Sequence, residues 1–107
     1  MEEKNYYVYI LSSISKVLYV GFTDCLVKRI YQHKKGDYYK DAFTKKYKVN
    51  RLVYWENFYI KEEALAREKQ LKRLLRIKKI SLIENSNSYW NDLYNDVVEI
   101  QKRNGNI

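Results

Sequence analysis

The chain has 107 residues, with 21 Lys and Arg against 13 Asp and Glu and a formal net charge of +8. This length suits one domain, 1–107, and excludes a second. Hydrophobic residues make up 46% and charged residues 32%, which is typical of a globular protein and excludes a disordered one. Because no apolar run approaches a membrane span and the start lacks a signal-peptide pattern, we expect a soluble, cytoplasmic protein.

Positive charge is concentrated in the middle of the chain. Between Lys28 and Lys79 there are 17 Lys and Arg against 6 Asp and Glu, whereas the remainder has 4 against 7. Such a surface suits a polyanion, since neutralising phosphates releases condensed counterions. The alternative explanations for this positive charge are a solvated lysine-rich face and a biased coding composition.

Cysteine and histidine content limits the possible chemistry. The chain has one cysteine, Cys25, and one histidine, His33. An internal disulfide and a Cys/His zinc cluster are therefore excluded. We interpret Cys25 as a small residue in the first turn of a helix, because nothing in the sequence indicates a basic partner for a catalytic thiol.

Two strands are predicted near the N-terminus. Residues 5–11 have the aromatic and β-branched content of a strand, and both faces are apolar, so we expect both to be covered. After a turn, Val17–Phe22 forms the return strand. A turn centred on Ile14 predicts that Tyr9 lies directly opposite Tyr19 on one face.

A helix is predicted to follow the second strand. Thr23 or Asp24 is a suitable N-cap, the helix runs to about Lys35, and Gly36 ends it. Helical spacing places Leu26, Ile30 and His33 on the side that meets the sheet, with Arg29 flanking them. The alternative for Arg29 is an ordinary basic residue on the surface, and the alternative for His33 is a histidine packed at the edge of the core.

A third strand is predicted after an irregular segment. Residues 36–48 are basic and aromatic without periodicity, so we predict a loop over the sheet. Interleaved Lys and Tyr residues there can hold phosphates and bases, although loop aromatics more often anchor to the core. Val49–Phe58 then has the composition of a strand.

The strongest helical pattern runs from Lys61 to about Arg76. Its apolar stripe, which contains Glu68, consists of Ala64, Leu71 and Leu75. An ionised carboxylate on the core side is costly unless it is paired or holds a cation. Glu68 is thus predicted either to form a salt bridge, with Arg67, Lys72 or Arg29, or to bind a metal ion.

The remaining sequence predicts helices that complete one α/β domain. Lys78–Glu84 is helical, and a C-terminal segment of about 90–103 contains Trp90 as an anchor and a helix from about Asp92 to Lys102. The predicted fold is a small three-stranded antiparallel sheet with helices on both faces. Its core covers about residues 5–85.

Two tyrosine motifs on the first two predicted strands resemble those of the GIY-YIG nuclease superfamily. Tyr7-Val8-Tyr9 stands where Gly-Ile-Tyr would, and Tyr19-Val20-Gly21 stands where Tyr-Ile-Gly would, so the first glycine is replaced by Tyr7. An arginine, Arg29, follows on the next helix. Downstream, AFTKKYKVNRLVYWE, EALAREKQLKRLLRIKKISLI and SNSYWNDLY are similar to the short stand-alone members.

The resemblance implies a metal-dependent endonuclease that hydrolyses DNA. It implies Tyr19 as general base, Tyr9 as an orienting residue, Arg29 as phosphate clamp and Glu68 as ligand of one Mg²⁺ or Mn²⁺ ion. His33 matches a position where members carry a histidine or tyrosine near the base, which implies a role as proton relay or phosphate contact. The predicted nucleic-acid contacts are Lys45, Lys46, Lys72 and Asn87, and Asn87 has an equally weighted alternative as a turn residue.

Two other functions remain open at this point. One is a nucleic-acid-binding module that keeps the fold but does not cut, which the replacement of the first glycine by Tyr7 allows. The other is a structural or protein-interaction domain whose tyrosines are core residues. With no room for an appended DNA-binding domain, we expect weak, mostly sequence-independent binding, with branched or single-stranded DNA as candidate substrates in repair or recombination. We expect no small-molecule cofactor.

Overall fold

A computed structural model of the chain describes residues 4–36 and 42–104. The strands in these ranges are β1 (Tyr6–Ser12), β2 (Leu18–Thr23) and β3 (Arg51–Phe58). The helices are α1 (Leu26–Lys35), α2 (Ala42–Tyr47), α3 (Lys61–Arg73), α4 (Arg76–Ser86) and α5 (Tyr94–Arg103). None of these helices is long and apolar enough to cross a membrane.

The strands form one antiparallel sheet in the order β2-β1-β3, which confirms the predicted α/β architecture. Both faces of the central strand are covered, and each face has its own hydrophobic cluster. One cluster joins Tyr9 and Leu11 of β1 to α1 and α5. The other joins Val8 and Ile10 to α3 and α4. The apolar character of both faces of β1 follows from this sandwiched position.

The predicted pairing of Tyr9 with Tyr19 is wrong by two residues. Tyr9 lies opposite Gly21, and Tyr19 lies opposite Leu11. The turn is closed by Ser13, whose backbone N–H donates to the carbonyl oxygen of Val17 over 3.0 Å. A shift of two residues preserves the face of each side chain, so both tyrosines still lie on the α1 side of the sheet.

The turn itself explains the different register. Lys16 adopts a left-handed backbone conformation with φ of 67°. The Ser13 hydroxyl also accepts a hydrogen bond of 2.9 Å from the Val17 N–H. These bonds centre the turn on Ser15 and not on Ile14, and no glycine or asparagine marks that centre in the sequence.

Helix α1 forms largely as predicted. Its buried residues are Leu26, Ile30 and His33. Gly36 ends the helix with φ of 71°, the left-handed conformation expected of a C-terminal glycine. The predicted N-cap, Thr23 or Asp24, is wrong: Cys25 occupies that position, because the Thr23 hydroxyl accepts a hydrogen bond of 3.0 Å from the Cys25 N–H and the helix begins only at Leu26.

Two other predicted boundaries are wrong. Residues 42–47, expected to be irregular, form α2, while 37–41 lie outside the described residues. Helix α3 ends at Arg73 because Leu74 and Leu75 adopt extended backbone conformations. Leu75 is therefore not part of the buried stripe, and 71% of its surface is exposed.

The break between α3 and α4 has a geometric reason. A straight helix from Lys61 to Ser86 would be about 39 Å long, whereas the eight-residue strand β3 spans about 27 Å. The break turns α4 back onto the sheet, where Ile83 is fully buried. Trp90 is also buried, as predicted for an anchor, and donates from Nε1 to Glu84 over 2.7 Å.

Candidate active site

Tyr9, Tyr19 and His33 form an aromatic cluster between the sheet and α1. The Tyr9 hydroxyl and His33 Nε2 form a hydrogen bond of 3.2 Å. The ring centroids of Tyr19 and His33 are 5.6 Å apart, and those of Tyr9 and Tyr19 are 6.3 Å apart. The structure thus brings together three of the predicted catalytic residues.

These three residues differ in access to solvent. Tyr9 is fully buried and His33 is 5% exposed, whereas Tyr19 is half-buried. Tyr19 is therefore the member of the cluster that is most exposed to solvent. Tyr9 is shielded from solvent and contacts His33.

His33 is held from a second side by α2. Its Nδ1 lies 3.1 Å from Oγ1 of Thr44, which is itself buried. The imidazole therefore bridges β1 and α2, and each ring nitrogen has a side-chain partner. Sequence reasoning missed Thr44, and its predicted loop offered no signal, because the contact depends on how α2 packs beside α1.

Arg29 precedes His33 by one helical turn and lies at the end of β2. Its Nη1 donates to the carbonyl oxygen of Phe22 over 3.4 Å. The side chain lines a cavity of about 320 Å³ together with Lys4 and Lys61. Asp24 lines the same opening and pairs with Lys4 over 3.4 Å, so the cations exceed the carboxylate by two, a balance that suits a phosphate group.

Glu68 lies on α3, on the other face of the sheet from α1. The carboxylate is half-buried, with a side-chain exposure of 19%, and its Oε2 is 3.1 Å from Nζ of Lys72. Of the three predicted salt-bridge partners, the structure shows Lys72. Arg67 is instead bound to Glu56 of β3 over 2.9 Å.

The direction of Glu68 follows from its neighbours. The buried stripe of α3 passes through Ala64 and Leu71, and Arg67 on one side of the stripe reaches β3. Glu68 is the next residue along α3, and the rotation of the helix between neighbouring residues puts its side chain on the opposite side of the stripe. It therefore faces β2 and shares a helical row with Lys61, which lines the Arg29 cavity.

The described residues contain no group of three or more His, Cys, Asp or Glu side chains placed to hold a metal ion. Glu68 alone fits the looser requirement of Mg²⁺, which keeps several waters and commonly binds one or two carboxylates plus substrate phosphate oxygens. Lys72 would have to release the carboxylate for an ion to bind.

The predicted nucleic-acid contacts fall into two groups. Lys45 and Lys46 are exposed on α2, next to Thr44. Asn87 is 6% exposed and donates from Nδ2 to the carbonyl oxygens of Val53 over 3.1 Å and Asn91 over 2.9 Å. Its geometry favours the alternative in which it holds the turn after α4.

Tyr7, at the position of the first motif glycine, does not enter the aromatic cluster. Its hydroxyl accepts a hydrogen bond of 3.2 Å from Nε2 of Gln101 in α5. Its ring lies 6.1 Å from that of Trp55. Burial raises the pKa of the Tyr7 hydroxyl. The substitution therefore fills space towards α5 and leaves the Tyr9–His33 contact intact.

Comparison with known proteins places this site in a family. The model of the GIY-YIG catalytic domain matches residues 5–81, a span that contains the aromatic cluster, Arg29 and Glu68. A UPF0213 protein of Clostridium perfringens is 42% identical over 79 residues, 74% of this chain and 83% of the relative. A UPF0213 protein of Syntrophus aciditrophicus is 36% identical over 80 residues, 75% of this chain and 91% of the relative.

A solved structure agrees with these sequence matches. The solution NMR structure of a UPF0213 protein from Bacillus halodurans has 34% sequence identity and a TM-score of 0.53. The match covers 82% of this chain and 92% of the other. The chain therefore belongs to the GIY-YIG family, where its relatives are short, single-domain UPF0213 proteins.

Proposed function

We propose that this protein is a metal-dependent nuclease that hydrolyses phosphodiester bonds in DNA. The observation that carries the proposal is the half-buried Tyr19 beside the Tyr9–His33 hydrogen bond, with Arg29 one helical turn away on α1. This set provides a partly exposed tyrosine that can take up a proton and a cation for a phosphate. The match to a catalytic domain supports the same reaction class.

In the proposed reaction, the phenolate form of Tyr19 accepts a proton from the water that attacks phosphorus and becomes the neutral phenol. His33 packs against the Tyr19 ring and orients it, and Tyr9 and Thr44 hold the imidazole in place. Arg29 stabilises negative charge on the phosphoryl oxygens while the bond to the leaving oxygen breaks. A divalent ion at Glu68 would supply Lewis-acid polarisation of the phosphate.

The nucleic-acid surface in this proposal is basic and shallow. Lys45 and Lys46 on α2 lie on the same helix as Thr44, close to the aromatic cluster, and Lys4 and Lys61 flank Arg29. Lysine contacts to phosphates carry no base sequence information. We therefore propose weak, mostly sequence-independent binding with strong salt dependence.

A cleavage assay on duplex, branched and single-stranded DNA and on RNA, with Mg²⁺ or Mn²⁺, tests the proposal. Tyr19→Phe should reduce cleavage at least about 100-fold, the size of a general-base contribution, and Glu68→Gln should cause a comparable loss because it weakens the metal site, while DNA binding is retained in both variants. Matched controls are Tyr89→Phe, at an 86% exposed tyrosine, and Glu62→Gln, in the exposed first turn of α3. Equal loss in the controls would contradict the assigned roles.

The alternative is a nucleic-acid-binding module without cleavage. Its supporting observation is that the Glu68 carboxylate is already neutralised by Lys72. Salt-sensitive DNA binding with no cleavage under either metal would favour the module over the nuclease. The absence of any salt-dependent binding would contradict both and favour a protein-interaction domain.

A further inference from the structure

A second cavity, of about 220 Å³, lies between the start of β1, the end of β3 and the end of α5. It is below the range of about 300–1,000 Å³ that holds drug-sized ligands. Its size therefore suits a single ring system. It is also separate from the cavity that Arg29 lines.

Aromatic side chains form much of the cavity wall. Tyr7 and Trp55 meet at an interplanar angle of 55°, and Tyr59 at the mouth is 67% exposed. Ile100 of α5 adds an apolar surface. Exposed aromatic faces beside a cavity are stacking surfaces for flat ligands, and stacking on them is tolerant of base identity.

Carboxamides provide the polar groups of this cavity. The four that line it are Asn5, Asn57, Gln101 and Asn104. Gln101 is 6% exposed and donates from Nε2 to Tyr7, while its Oε1 accepts no hydrogen bond within the described part of the chain. The Gln101 carboxamide therefore lies at the cavity wall, next to the Tyr7 hydroxyl.

The chemistry of the lining identifies the class of ligand. None of the eight lining residues is charged, although the chain has a net charge of +8. The cavity thus does not suit a phosphate. Paired donors and acceptors on carboxamides match the edges of nucleobases, as in the bidentate contacts of Asn and Gln with adenine. The fitting ligand is a neutral heteroaromatic ring with donor and acceptor edges.

The cavity also lies close to the proposed catalytic cluster. Tyr7 and Tyr9 are two residues apart on the same face of β1, so about 7 Å separates their backbone positions. Tyr7 is also paired across the sheet with Thr23, which lines the Arg29 cavity. A strand whose phosphate contacts Arg29 can therefore place a neighbouring base in the second cavity.

We propose that this cavity binds one unpaired base of the nucleic-acid strand held at the active site. The proposal rests on the nuclease function proposed above and adds a preference for ends, gaps or branches, where bases are unpaired. It also gives a role to Tyr7, because the residue that replaces the motif glycine forms a wall of the pocket.

Binding measurements without metal test this proposal independently of cleavage. Fluorescence anisotropy in EDTA would compare a duplex that has a one-nucleotide adenine overhang with the same duplex carrying an abasic overhang. The wild type should bind the adenine overhang about tenfold more tightly, the size of effect that stacking of one base produces. Tyr59→Ala and Asn104→Ala should reduce this ratio to about two or less and leave abasic binding unchanged.

Exposed residues outside the cavity provide matched controls. Tyr89→Ala and Asn95→Ala change the same residue types at exposed positions and should keep the full ratio. A wild-type ratio of one, or a ratio that survives both cavity variants, would overturn the proposal. Equally tight binding of free deoxyadenosine monophosphate would also overturn it, since the pocket would then select a free nucleotide. Absence of cleavage with the ratio intact would contradict only the nuclease function.

Discussion

Gly21 lies directly opposite Tyr9 in the β1–β2 pair, and the Tyr9 ring occupies the space above it. A Cβ atom on residue 21 would lie 2.4 Å from both Cζ and the hydroxyl oxygen of Tyr9. The glycine thus permits close approach of a side chain and does not mark a bulge. The glycine of the second tyrosine motif sets the position of the tyrosine of the first.

Gly21→Ala should therefore displace the Tyr9 ring and weaken its hydrogen bond to His33. We expect a loss of about 1–3 kcal/mol in the free energy of unfolding, typical of overpacking in a core. Urea denaturation measures this loss. A double variant with Tyr9→Leu should recover part of the loss, because the shorter side chain removes the contact. If the losses in the free energy of unfolding of the two single variants simply add in the double variant, Gly21→Ala does not act through the Tyr9 ring.

The ion pair between Glu68 and Lys72 should compete with metal binding. Lys72→Met removes the ammonium group 3.1 Å from Glu68 Oε2, so we expect Mn²⁺ to bind several-fold more tightly. Paramagnetic broadening of NMR signals near Glu68 would report the affinity. Lys69→Met removes the same charge from an exposed site on α3. Equal effects of the two variants would indicate a general field effect and no specific competition.

Asp92 connects the C-terminal segment to the core. Its Oδ1 accepts hydrogen bonds from the N–H groups of Leu52 (3.2 Å) and Tyr94 (3.1 Å), and its Oδ2 pairs with Lys34. Asp92→Ala should lower the free energy of unfolding by about 2–3 kcal/mol, because several charge-assisted bonds are lost together.

The exposed pair of Asp24 and Lys4 is the control for this prediction. Its atoms are 3.4 Å apart, and both side chains are more than half exposed. Asp24→Ala should change the free energy of unfolding by less than about 0.5 kcal/mol. Similar losses for the two aspartates in urea denaturation would contradict the role of Asp92.

Tyr54 should make stability sensitive to alkaline pH. Burial, and then its hydrogen bond to the Glu56 carboxylate, raise the pKa of Tyr54 to about 12 from 10.0. Between these values the unfolded chain loses the proton and the folded protein keeps it, so the free energy of unfolding falls as pH rises from 10 to 12. Tyr54→Phe should have a shallower decline over that window in urea denaturation than the wild type. Tyr89→Phe should follow the wild type, and a decline equally steep in Tyr54→Phe would refute the assignment.

Much of the fold could be predicted because its signals are local. The two-residue periodicity of 5–11, the helical spacing of Leu26, Ile30 and His33, and the glycine at position 36 each depend on neighbouring residues. Their structures are as predicted. The register of β1 and β2 was missed because it depends on the left-handed conformation of Lys16, a residue type that seldom adopts it.

The candidate site likewise has some features that the sequence predicts and others that only the tertiary structure shows. The sequence by itself determined the α/β class, the family motifs and the placement of His33 on the core side of α1, since strand and helix periods assign faces. Only the tertiary structure decided that Tyr9 is fully buried, that Thr44 holds His33, that Lys72 pairs with Glu68 and that Tyr7 faces α5. Except for Glu68 and Lys72, one turn apart on α3, these contacts join residues distant in the chain. The packing of separate elements selects which side chains meet, and no local period encodes that choice.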